Sequence, residues 1–191
     1  MRKYDSYKDT RVNWMSEIPI IWSEIRFKYA LPMVTAKSTS NIKIGLENIE
    51  SYSGKYIHTD TVYEGDGIDA KQGDILYGKL RPYLAKVLLA ECDYNAVGDF
   101  YVFRSNENLC KARYAKWLMI SDGFTKICSA STYGAKMPRV SSDFINSEYI
   151  PLPALDEQEK IADFIESKTS NIDTYVAERE RVTTSKRVKT I

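Results

Sequence analysis

The chain has 191 residues, of which 43% are hydrophobic and 28% are charged. This is ordinary globular composition in a chain long enough for one domain with a sizeable core, so it excludes wholesale disorder. The net charge of +1, from 27 basic and 26 acidic residues, argues against a uniformly basic nucleic-acid binder.

No apolar run approaches the ~20 residues that a membrane span requires, and the polar residues 1–10 lack the apolar stretch of a signal peptide. The three cysteines are an odd number without the close spacing of a zinc site, and His58 is the only histidine. We therefore predict a cytoplasmic protein with structural cysteines, no metal, no cofactor and no membrane association.

In chain order, the first predicted element is an apolar anchor around Pro19, followed by a short helix or strand over residues 24–31. The segment from Ile42 to Ile145 is rich in β-branched and aromatic residues, which predicts short strands such as 42–46, 55–59, 85–90 and 100–104. Residues 111–121 have apolar side chains at helical spacing and predict an amphipathic helix, with a second helix over 123–130.

Two stretches combine glycine, proline and basic residues. Residues 73–83 read Gly-Asp-Ile-Leu-Tyr-Gly-Lys-Leu-Arg-Pro-Tyr, and residues 131–139 read Ser-Thr-Tyr-Gly-Ala-Lys-Met-Pro-Arg. Glycines allow close backbone approach, and Lys79 and Arg81 alternate with apolar residues, so both can point to one face of an extended chain. Such a face suits a phosphate backbone or a guanine edge, although solvated surface loops remain the alternative.

A local excess of basic residues accompanies these stretches. Between Lys71 and Arg139 there are 11 basic and 6 acidic residues, which form a basic face only if they cluster in space. No nucleophile elbow, phosphate loop or dinucleotide fingerprint occurs anywhere in the sequence. The sequence therefore favours a protein that binds over one that catalyses.

The last forty residues predict a single long helix. Asp156 occupies a candidate N-cap position with Glu159 three residues later, and no glycine or proline follows up to Ile191. At 1.5 Å per residue such a helix is ~50 Å long, so its apolar seam needs a partner helix unless it is a lone surface helix. The predicted seam consists of Ile161, Ile165, Ile172, Tyr175 and Val182.

The order of these motifs resembles the specificity subunit of type I restriction–modification systems. The resemblance rests on residues 73–87, residues 134–139 and the run Ile-Pro-Leu-Pro-Ala-Leu-Asp-Glu-Gln at 150–158, with weaker matches at 7–22 and 45–54. It covers nearly the whole chain, but a complete subunit is about twice as long. The chain resembles one target-recognition domain, residues 1–152, and one conserved-region helix, residues 153–191.

The resemblance implies an α+β fold: a mixed α/β recognition domain followed by a long helix of the coiled-coil type. It also implies a non-catalytic protein that reads one half of a split site in double-stranded DNA. The implied partners are methyltransferase (modification) subunits, motor–nuclease (restriction) subunits and, for a half-subunit, a second copy paired through the helix.

We predict that the residues matching the family's motifs contact phosphates or shape the domain. Base readout is predicted in the less patterned segments 51–69 and 92–108. The competing hypothesis is a protein-interaction module that uses the long helix and never touches nucleic acid. The predicted DNA-binding residues are Lys79, Arg81, Tyr83, Tyr77, Tyr133, Gly134, Lys136 and Arg139.

Overall fold

The computed structural model describes residues 4–188, with side chains described up to Arg179. Its N-terminal part is a hairpin of β1 and β2, followed by β3, which pairs antiparallel with β11 and so brings residues 23–26 beside residues 149–152. The single turn of α1 follows β3 directly, so residues 24–31 hold both of the structures that the sequence allowed. These elements are β1 (Tyr7–Asp9), β2 (Glu17–Pro19), β3 (Ser23–Arg26), α1 (Phe27–Ala30) and β11 (Tyr149–Leu152).

The centre of the domain is a four-stranded antiparallel sheet in the order β4-β10-β7-β8. A three-stranded sheet in the order β5-β9-β6 packs against it, with β5 and β9 parallel. The strands are β4 (Met33–Val34), β5 (Lys43–Ile44), β6 (Ile68–Ala70), β7 (Ile75–Gly78), β8 (Val87–Leu89), β9 (Tyr94–Ala96) and β10 (Phe100–Phe103).

The central sheet is covered on both faces, which explains why β7 is apolar without alternation. Ile75 and Tyr77 face a core that is completed by the helices, whereas Leu76 faces a second core shared with the smaller sheet. Successive side chains of a strand point to opposite faces, so a strand between two cores needs apolar residues at every position. All four residues of β7 are buried.

Both predicted internal helices form, as α2 (Ala112–Ile120) and α3 (Asp122–Ala130). The Ser121 hydroxyl accepts the backbone N–H of Phe124 at 3.4 Å and caps α3. A short helix, α4 (Ser142–Ser147), was not predicted. The predicted strand over 55–59 is wrong, since that stretch is a loop with one isolated bridge between Tyr56 and Ile49.

The long helix α5 (Leu155–Val188) has 34 residues, which confirms the α+β class with a long C-terminal helix. It begins at Leu155, so Asp156 lies within the first turn, where its carboxylate pairs with Lys160, and the predicted N-cap position is wrong. The side chains of Gln158 and Ala162 are fully buried in the domain core. The boundary between residues 152 and 153 stays a prediction.

Within residues 4–188, no helix is long and apolar enough to cross a membrane. In the same range, no group of three or more histidine, cysteine or acidic residues is arranged to hold a metal ion.

Candidate nucleic-acid interface

The two basic motifs of the sequence meet in space. We call residues 79–85, which follow β7, the first basic turn, and residues 131–139, which follow α3, the second basic turn. The Arg81 N–H donates to the Pro138 carbonyl at 2.8 Å, and the Val140 N–H donates to the Lys79 carbonyl at 3.2 Å. The second turn closes on itself through reciprocal backbone bonds of 3.0 Å between Tyr133 and Arg139. Stretches fifty residues apart thus form one surface.

Arg81 and Lys136 are the free cations of this surface. Both side chains are exposed, and neither forms an ion pair with a carboxylate in the described part of the chain. By contrast, seven of the 11 basic residues between Lys71 and Arg139 pair with carboxylates. The paired residues are Lys71, Lys79, Arg104, Lys111, Arg113, Lys126 and Arg139. Most of the basic excess is therefore neutralised locally and does not form a basic face.

Asp99 ties the two basic turns to the sheet. Its carboxylate accepts two hydrogen bonds from the Arg139 guanidinium, at 2.9 and 2.8 Å, and lies 3.9 Å from the Lys79 ammonium. These cations hold the pKa of Asp99 below its usual value, with the Arg139 hydrogen bonds as the main cause. Lys79 and Arg139 therefore hold the surface in shape. The sequence did not point to Asp99, because no motif surrounds it and its main partner, Arg139, is forty residues away.

Tyr77 does not belong to the surface, and its prediction as a DNA contact is wrong. The side chain is 1% exposed, and burial beside Cys128 raises the pKa of its hydroxyl well above the usual range. Residues two apart in a strand point to the same face, so the sequence placed Tyr77 on the face of Lys79. The strand ends at Gly78, however, so the alternation does not extend from Tyr77 to Lys79. Tyr83 and Tyr133 are exposed, and their role as DNA contacts stays a prediction.

Gly134 shapes the second basic turn. Its φ of 87° lies in the left-handed region, and a Cβ there would approach the Met137 carbonyl oxygen to 3.3 Å. Glycine adopts this backbone without steric cost, whereas other residues are strained. Gly134 therefore fixes the backbone of the second basic turn, in which Tyr133 and Lys136 are exposed on either side of it.

The two segments predicted to read bases have different surroundings. Residues 51–69 are a largely exposed loop as far as Gly67, after which β6 begins. This loop lies beside the first basic turn, since the Tyr52 N–H donates to the Ala85 carbonyl at 3.3 Å. Residues 92–108 instead contain β9 and β10, whose side chains are mostly buried. The exposed end of that segment starts at Arg104, which binds Asp74 at the opposite end of β7 from the basic turns.

Lys86 fixes the loop to the sheet. Its ammonium donates to the carbonyls of Leu46 and Ile49 at 2.7 and 2.8 Å, and burial lowers its pKa. A lysine that satisfies backbone carbonyls in this way is a structural clamp. It holds residues 46–49, which lead into the 51–69 loop, against the start of β8.

The predicted seam of α5 divides into two parts. Ile161 and Ile165 pack against the domain, where they line an apolar groove with Trp14, Trp22 and Trp117. Ile172 and Tyr175 are 63% and 56% exposed, as is their neighbour Val176 at 47%. The Val182 side chain lies outside the described residues. The second part of the seam is therefore an uncovered apolar stripe.

Polar contacts hold the first half of α5 in one orientation on the domain. The Arg113 guanidinium pairs with Glu166 and, at 2.7 Å, with Asp163. Further along the helix, Asp173 pairs with Lys55 of the 51–69 loop. The helix is thus anchored both to α2 and to the loop that borders the basic turns.

Comparison with protein families adds a match over residues 18–183 to the type I restriction modification DNA specificity domain. The specificity subunit of the Escherichia coli type I restriction enzyme EcoDI is 27% identical, over 89% of this chain and 40% of its own length. The MjaVIII specificity subunit of Methanocaldococcus jannaschii is 24% identical, over 95% of this chain and 47% of its own length. The chain therefore spans less than half the length of these relatives.

Solved structures share the fold. The HsdS subunit from Thermoanaerobacter tengcongensis superposes with a TM-score of 0.70 at 20% identity, covering 86% of this chain and 46% of that one. The S subunit of a type I restriction-modification system from M. genitalium gives a TM-score of 0.54 at 13% identity, over 82% of this chain and 41% of that one.

Proposed function

Because this chain belongs to the family of type I restriction modification DNA specificity domains, we propose that it recognises one half of a split site in double-stranded DNA. The observation that carries the proposal is the convergence of the two basic turns, which backbone hydrogen bonds join and which expose Arg81 and Lys136. Cations without an internal partner are available to phosphates, and phosphate contacts set the register of a protein on DNA.

In this proposal each part of the surface has its own task. Arg81 and Lys136 contact phosphates, and Tyr83 and Tyr133 pack beside them. Lys79, Gly134 and Arg139 maintain the shape of the two turns, and the exposed loop 51–69 reads bases. The chain needs no cofactor and performs no catalysis, since it supplies sequence recognition to methyltransferase subunits and motor–nuclease subunits, and it acts in the cytoplasm.

A direct test is co-expression with the modification subunit of the same system, followed by sequencing of the host DNA for new methyladenine. Methylation at a split inverted-repeat site supports the proposal and a pair of identical chains. Methylation at an asymmetric site means that a different recognition domain supplies the other half. If no complex forms, the alternative function is favoured, in which the exposed stripe on α5 docks a protein partner and the domain never binds DNA.

Substituting Arg81 or Lys136 with alanine should weaken binding to all duplexes alike. Each lost phosphate contact releases about one counterion fewer, so the slope of log K against log salt should fall by about 1. The slope can be measured by fluorescence anisotropy with duplexes of different sequence. Lys126→Ala is the matched control because Lys126 is exposed but paired with Asp122. A change in which sequence is preferred would contradict the phosphate assignment.

We also propose that two copies pair through α5 as antiparallel helices, which would cover the exposed Ile172, Tyr175 and Val176. Ile172→Asp should then convert a dimer at micromolar concentration to a monomer, as measured by analytical ultracentrifugation. Ser167→Asp places the same charge on the other side of the helix and should leave the dimer intact. A monomeric wild-type chain at these concentrations would argue against pairing.

A further inference from the structure

Backbone strain is concentrated at one place on the surface. In the described part of the chain, three residues other than glycine have a left-handed backbone: Tyr52 with φ of 62°, Arg81 with φ of 50° and Ala85 with φ of 45°. A Cβ makes this conformation unfavourable, and residues held in it cluster at binding and catalytic sites. Tyr52 is about thirty residues from the other two in sequence, so their association is a product of the tertiary structure.

Hydrogen bonds join these residues into one unit. The Tyr52 N–H donates to the Ala85 carbonyl at 3.3 Å, and the Tyr52 hydroxyl donates to the Tyr83 carbonyl. Within the first basic turn, the N–H groups of Leu84 and Ala85 donate to the carbonyls of Arg81 and Pro82, both at 2.9 Å. We call residues 51–54 and 81–85 together the paired turn.

The paired turn presents its polar and aromatic groups outward. Pro82 is buried beneath it, while the side chains of Arg81, Tyr83 and Tyr52 are exposed. Tyr52 is 54% exposed, yet its hydroxyl bonds to the neighbouring turn rather than being left to solvent. The hydroxyl therefore restrains the turn that carries Arg81, and it does so from the loop 51–69.

We propose that the paired turn is a preorganised DNA contact and that Tyr52 is its positioning residue. Tyr52 holds the first basic turn so that Arg81 meets a phosphate and the Tyr83 ring packs against the adjoining sugar. This inference rests on the proposed DNA recognition and extends it. It couples the loop that reads bases to the turn that contacts the phosphate backbone of the DNA. If a non-cognate DNA sequence displaced the loop, the phosphate contact of Arg81 would then weaken as well.

The test is a double-mutant cycle on the full chain in complex with the modification subunit, using a short duplex of mixed sequence at low salt. Tyr52→Phe removes only the hydroxyl that restrains the Tyr83 carbonyl. We expect binding to weaken about 3- to 10-fold, the range set by the net value of one hydrogen bond. In the Arg81→Ala background the same change should have almost no further effect, since the group being positioned is gone.

Tyr29→Phe is the matched control, because Tyr29 is an exposed tyrosine on α1 (56% exposed), outside the loop 51–69 and outside both basic turns. It should bind DNA like the wild type. Additive effects of Tyr52→Phe and Arg81→Ala, or unchanged binding by Tyr52→Phe, would overturn the positioning role while leaving the proposed function intact. Failure of the wild-type complex to bind DNA would overturn both the inference and the proposed function.

Discussion

Replacing Phe124 with alanine is expected to lower the free energy of unfolding by about 3–5 kcal/mol. Phe124 lies on α3 and is fully buried. Its ring makes contacts with Trp14, Phe27 and Tyr77 at centroid distances of 5.5, 5.9 and 6.1 Å. Its removal forfeits these ring contacts and leaves a cavity between elements that cannot close around it, because each neighbour is fixed by the rest of the core.

Chemical denaturation monitored by tryptophan fluorescence would measure this loss. Phe164→Ala is the matched control, since Phe164 lies on the solvent side of α5 and its loss should change stability by less than about 0.5 kcal/mol. Equal destabilisation by the two variants would contradict the burial of Phe124 in the core. We also expect Phe124→Ala to weaken DNA binding, because α3 leads directly into the second basic turn.

Replacing Gln158 with leucine should destabilise the protein by about 3 kcal/mol, because three backbone groups lose their partner at about 1 kcal/mol each. Gln158 is fully buried, and its amide nitrogen donates to the carbonyls of Leu109 and Pro153 at 3.0 and 2.9 Å. Its amide oxygen accepts the Lys111 N–H at 2.8 Å, next to the start of α2. Leucine has a similar volume but cannot make these bonds.

The same denaturation measurement applies to this variant, with Gln72→Leu as the matched control. The Gln72 side chain is exposed, so its replacement should leave stability within about 0.5 kcal/mol of the wild type. If Gln158→Leu were as stable as the wild type, the buried amide would not be the link between the recognition domain and α5. In that case Arg113 and its two carboxylate partners would be left to hold the helix direction.

For the long helix α5, local sequence patterns predict the length but not the surroundings of its apolar face. Its length follows from the absence of glycine and proline over residues 154–191, because helix propagation depends on neighbouring residues and needs no distant partner. The surroundings of the helix do not follow in this way, since Ile161 and Ile165 belong to the same predicted seam as Ile172 but line a groove on the domain. Periodicity identifies an apolar face and does not say which neighbour covers each part of it.

For the two basic turns as well, the sequence pattern predicted the elements but not the exposure or the partners of their side chains. Their glycine, proline and cation pattern identified residues 73–83 and 131–139 as one kind of element, and the structure brings the two together. The pattern also included Tyr77, which is buried, and could not include Asp99 or Tyr52. A side chain's exposure and its long-range partners depend on chain segments that are distant in sequence, so no local pattern encodes them.

The sequence by itself determined the family, the α+β class, the helices α2, α3 and α5, and the two basic elements, because each depends on short-range propensity or on motifs in order. The tertiary structure alone decided which cations are free. Among the residues that the structure describes, seven of the 11 basic residues between Lys71 and Arg139 pair with carboxylates, whereas Arg81 and Lys136 do not. An ion pair forms where folding brings opposite charges together, and that proximity is a property of the whole chain.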